Sequence, residues 1–128
     1  MKTLLATGLI LFSLSNLASA TELLCASKKD QDLYYSNGQV LITAKASSPT
    51  LLTNFTMEMK GSNLGSSENR IRGKATNNWV RFQFADAWCD YSAALPKNFT
   101  SLETFTLFLD AHCEENTNGS VRLNCRLK

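Results

Sequence analysis

Within its 128 residues the chain has a single histidine and four cysteines. No apolar run after residue 20 approaches the roughly 20 residues that a membrane-spanning helix needs. With His112 alone, a serine- or cysteine-hydrolase triad has no second imidazole to draw on, and there is no Gly-x-Ser-x-Gly elbow. The cysteines at 25, 89, 113 and 125 form no Cys-x-x-Cys pair, so the usual zinc-site spacing is missing. Charge of one sign is also scarce. Thirteen Lys+Arg against eleven Asp+Glu leave a net charge of +2, too little to drive nucleic-acid binding by counterion release. Repeats and low-complexity tracts are absent, and the length fits one domain. A hydrophobic fraction of 44% with 19% charged residues excludes a wholly disordered chain.

What is present begins with an export signal. Lys2 precedes the apolar run Leu4–Phe12, and Ala18-Ser19-Ala20 supplies small residues where a signal peptidase cuts. The expectation is cleavage after Ala20, leaving residues 21–128 as one secreted or periplasmic domain. Leu24, a bulky residue just before Cys25, argues against lipoprotein processing.

The remainder reads as strands. Apolar residues alternate with polar ones in Glu22–Ser27, Thr53–Met59, Glu103–Cys113 and Val121–Leu127. Asn37-Gly38 suits a type I′ turn, predicting a hairpin that pairs Tyr35 with Val40 and Leu33 with Ile42. A second two-residue loop at Asn77-Asn78 pairs Ala75 with Val80, Gly73 with Phe82 and Ile71 with Phe84, all toward the core. The stretch Ala87–Leu102 breaks the pattern and reads as a crossing segment with a short helical turn near Asp90–Leu95; within it, Trp88 and Tyr91 read as caps on the core, the alternative being that they extend the basic surface of the second hairpin. About eight short strands joined by hairpins predict an all-β fold, either a small antiparallel sandwich or a closed barrel.

Four cysteines allow three disulfide connectivities. Adjacent first and last strands would favour Cys25–Cys125 with Cys89–Cys113. The rival joins Cys113 to Cys125 across a hairpin and Cys25 to Cys89. The run Leu95-Pro96-Lys97-Asn98, an aromatic-rich strand and the ending Leu123–Lys128 together resemble the C-terminal ends of small uncharacterised exported bacterial proteins. That resemblance implies an envelope location and the first-to-last cysteine pairing, and it implies no activity.

Two constellations could carry function. Asp110, His112 and Glu114 share one strand face and are the right residue types for a metal ion, or for a base with orienting carboxylates. A solvated strand end has the same composition. The outward face of the second hairpin carries Arg70, Arg72, Lys74, Trp79 and Arg81, with Lys74 opposite Arg81 and Arg72 opposite Gln83. Like charges facing each other across a ladder are destabilising, so a purely structural reason for them is weak. A tryptophan among cations suits an acidic protein surface or a glycan. The resulting expectation is a monomeric, cofactor-free binding or envelope-associated module. The alternatives are a secreted inhibitor of a hydrolase, or a small metal-dependent hydrolase centred on His112.

Overall fold

The computed structural model describes residues 21–28, 32–33, 36–37, 39–59, 68–114 and 118–128. Residues 1–20, read above as an export signal, lie outside them, together with Tyr34, Tyr35 and Gly38 of the first predicted hairpin. The strands are β1 (Thr21–Ser27), β2 (Asp32–Leu33), β3 (Ser36–Asn37), β4 (Val40–Ser48), β5 (Leu51–Met59), β6 (Glu68–Ala75), β7 (Trp79–Ala85), β8 (Cys89–Pro96), β9 (Thr104–Cys113) and β10 (Asn118–Leu127). A 3-10 turn spans Phe99–Ser101. β1 and β4 to β10 form a closed antiparallel barrel, in which each strand pairs with the next and β10 returns to β1. β2 and β3 form a separate two-stranded sheet. The choice between sandwich and barrel falls to the barrel.

Period-two alternation decides which atoms go inside. Val40, Ile42, Ala44 and Ala46 of β4 are buried, whereas Leu41, Thr43 and Lys45 between them are exposed. The same holds for Val80, Phe82 and Phe84 of β7; on β9 Phe105, Leu107, Leu109 and Ala111 are inward, with Thr106 and Phe108 between them half-buried and Asp110 exposed. Eight strands enclose a space that side chains just fill. Phe99, fully buried in the 3-10 turn, packs on Phe105 with ring centroids 5.5 Å apart. This polarity, apolar inside and charged outside, is the inverse of a lipid-facing barrel. Among the described residues, no helix is long and apolar enough to cross a membrane.

One irregularity keeps the alternation in phase. Asn54 on β5 has a φ of 50°, in the left-handed region that Asn tolerates better than most residues. The β4–β5 register shifts between Thr43 and Lys45, and this bulge lets both Leu52 and Phe55 point inward.

Three sequence-based expectations need correction. The Asn37-Gly38 hairpin does not join Leu33 to Ile42. Leu33 pairs with Ser36 and Asp32 with Asn37, while Ile42 lies between Cys25 of β1 and Met57 of β5. Closing the barrel uses both edges of β4, and a local hairpin cannot compete for either. The stretch 90–95 is strand and not a helical turn: Cys89, Tyr91, Ala93 and Leu95 face inward along β8, between β7 and β9. At the second hairpin, the ladder does run through Gly73↔Phe82, Lys74↔Arg81 and Ala75↔Val80. The ladder stops there, so the expected Ile71–Phe84 and Arg72–Gln83 pairs are not part of it; Ile71 and Arg72 pair on the other edge with Leu52 and Leu51 of β5, Phe84 pairs with Tyr91 of β8, and Ala75 at the strand end is exposed.

The cysteines pair as Cys25–Cys125 and Cys89–Cys113. Each bond links directly opposed residues, on β1–β10 and β8–β9 respectively. Two disulfides fit an extracellular or periplasmic protein.

Gly73 makes a packing prediction. A Cβ there would meet Phe82 Cε1 at 2.6 Å and Val80 Cγ2 at 2.7 Å. Both neighbours are buried core side chains with little room to retreat. Gly73→Ala is therefore expected to cost about 1–3 kcal/mol through overpacking. A thermal melt followed by circular dichroism checks this, and an unchanged midpoint would show that the core can rearrange.

Candidate functional site

The outward face of β6 and β7 holds the basic cluster. Arg70, Arg72, Lys74 and Arg81 are exposed, and Trp79 retains 41% of its surface. The hairpin through Asn77-Asn78 positions them: Thr76 N–H donates to Trp79 O at 2.8 Å, closing the turn. Strand alternation then sends Val80 and Phe82 inward, and Trp79, Arg81 and Gln83 outward. Lys74 and Arg81 are directly opposed. Among the described residues, no acidic side chain pairs with any of the four cations. Arg72, Lys74, Trp79 and Arg81 border a surface concavity of about 690 Å³.

The barrel adds two residues to this face. The row Lys74–Arg81 continues to Ala94 on β8, Phe108 on β9 and Arg122 on β10. Trp79 and Phe108 stand on strands separated by β8, roughly 10 Å apart. Their rings nevertheless meet edge to face, with centroids 5.5 Å apart. The opening is over β8, where the small Ala94 faces Arg81. The Arg122 guanidinium lies 5.4 Å from the Phe108 ring centroid, a cation–π distance. Sequence reading missed both residues. The available signal was an aromatic at 108, an outward position between the inward Leu107 and Leu109.

The second constellation is held differently. Asp110, His112 and Glu114 are all exposed. Asp110 accepts a hydrogen bond from Ser120 Oγ at 2.6 Å, and His112 Nδ1 lies 3.0 Å from Asn118 Oδ1. Both partners stand across the ladder on β10, so the pair is tied to neighbouring polar groups rather than gathered around a common point. Among the described residues, no group of three or more His, Cys, Asp or Glu side chains could hold a metal ion.

Trp88 and Tyr91 separate in the structure. Tyr91 is buried, and its hydroxyl donates to Asp86 Oδ2 at 2.7 Å. Trp88 does not cap the core: it is 59% exposed, in a turn whose Trp88 and Cys89 N–H groups both donate to Asp86 Oδ1. A larger concavity, about 810 Å³, lies over β1, β4 and β10 and is lined by Leu24, Ala26, Leu41, Thr43 and Arg126. Comparison with protein families, with curated proteins and with solved structures finds no match to this chain.

Proposed function

We propose that the protein is a secreted or periplasmic, non-enzymatic module that binds an anionic partner through Arg70, Arg72, Lys74, Trp79 and Arg81. One observation carries this reading. Lys74 and Arg81 face each other across a ladder, with no acid among the described residues to relieve the repulsion. Like charges held in this way raise the energy of the free protein, and a polyanion that neutralises them recovers it. The hydrophobic leader at 1–20 and the two disulfides support the location.

Reversing Arg72 and Arg81 to Glu tests the face. Both side chains are exposed, so stability should change by under about 0.5 kcal/mol per site. Retention on immobilised heparin and on immobilised polyglutamate should be lost, while the parent protein elutes earlier as salt rises. Unchanged retention would sink the reading.

A further inference from the structure

We infer that the site is bipartite and that its ligand is an acidic polysaccharide laid diagonally across the strands; this rests on the anionic-partner reading above. Two concavities flank an aromatic ridge. The first holds Lys74 and Arg81. The second, about 680 Å³, holds Lys28 and Arg122. Between them stands the Trp79–Phe108 pair, with Arg122 over the far side of the ridge. The hydrogen-bonded row from Lys74 to Arg122 crosses four strand steps, roughly 19 Å in all. A ligand occupying both depressions must cross the ridge, presenting anionic groups on either side and an apolar face in the middle. A sugar chain bearing carboxylate or sulfate groups has this alternation, because the C–H face of a pyranose ring stacks on an indole or phenyl ring while its acid substituents project sideways.

The closed barrel argues against an acidic peptide. Peptides bound in extended form gain affinity by adding a strand to a free sheet edge. Every barrel strand here has a neighbour on either side, and at the row itself Lys74 is laddered to Arg81, Arg81 to Ala94, Ala94 to Phe108 and Phe108 to Arg122, although the β6–β7 ladder ends at Gly73 and Phe82. Along that row recognition therefore comes from side chains, and the ridge supplies rings rather than backbone donors. Single-stranded nucleic acid uses cations with a succession of stacking platforms. Here a single edge-to-face pair stands between two cationic depressions. Asp110 also lines the second depression; its carboxylate accepts a hydrogen bond from Ser120 Oγ–H, which turns that oxygen toward β10 but leaves the charge, so the anion sits on the Lys28 and Arg122 side.

The test measures binding of the disulfide-intact protein to heparin, polygalacturonate, polyglutamate, oligothymidylate and uncharged dextran, for the parent and for Phe108→Ala and Arg122→Gln. Heparin and polygalacturonate should bind and dextran should not. Each substitution should weaken the two polysaccharides roughly tenfold. Phe108→Ala should weaken polyglutamate binding less than it weakens the two polysaccharides, because the lost ring carries stacking and not charge. Arg122 is exposed, so Arg122→Gln keeps the test decisive if Phe108→Ala disturbs folding. Polyglutamate binding as tightly as the polysaccharides, with Arg122→Gln silent, would overturn this inference and leave the anionic-partner reading standing. Oligothymidylate binding tightest would also overturn it. Failure of every polyanion to bind would remove both.

Discussion

Replacing Cys25 and Cys125 together with alanine is expected to lower the unfolding free energy by about 4–5 kcal/mol. The two cysteines are 100 residues apart in sequence, and cross-linking a loop of that length removes about 4.7 kcal/mol of chain entropy from the unfolded state. The bond also sits on the seam. β1 and β10 are the first and last strands, and their ladder from Leu23↔Leu127 to Ser27↔Leu123 is what closes the barrel. Cys89 and Cys113 are 24 residues apart and join strands that are already consecutive in the barrel. The corresponding alanine pair should therefore lose less, about 3.5 kcal/mol. Small domains have only about 5–15 kcal/mol to lose, so the seam variant should stand near the edge of folding at room temperature. Urea unfolding of the two double variants gives the comparison directly. A larger loss from the Cys89–Cys113 pair would mean that the seam is held mainly by its hydrogen bonds and by the side chains of Leu23 and Leu123, with the covalent link secondary.

Reading the sequence worked where structure is local and failed where it is not. The loop at Asn77-Asn78 sets the pairing of its own flanks, so the outward placement of Lys74, Trp79 and Arg81 followed from a few adjacent residues. Asn37-Gly38 is an equally strong local signal, yet β4 pairs with β1, whose partner is chosen by closure of the whole barrel. No window of ten residues contains that information. β8 was hidden for a different reason. Its inward Ala93 and outward Ala94 differ little in polarity, and Pro96 reads as an interruption although it only ends the strand. The loss of β8 propagated into the site. Without a strand carrying Ala94 between them, nothing in the sequence brings Trp79 within reach of Phe108. The basic half of the site was thus readable, whereas the aromatic ridge and Arg122 needed the completed barrel.

Phe82→Ala should be the most damaging single substitution in the β6–β7 hairpin, although it lies directly beneath the proposed site and not in it. Phe82 is fully buried, and its ring occupies the space above Gly73, where no side chain competes for it. Truncation leaves that volume empty, because Gly73 cannot fill it and Val80 is held in the same ladder. A loss of roughly 3–5 kcal/mol is expected, covering both the transfer of the ring and the cavity left behind. The neighbouring outward residues give the control. Arg81 adjoins Phe82 in sequence and is exposed, so charge reversal there should leave the melting temperature nearly unchanged. Adjacent positions would then separate cleanly, with stability lost at 82 and polyanion binding lost at 81. If Phe82→Ala melted normally while Arg81→Glu unfolded the protein, the facing of β7 would be reversed. The cations would then lie inside the barrel, where each would cost several kcal/mol unless paired, and the proposed site would not exist.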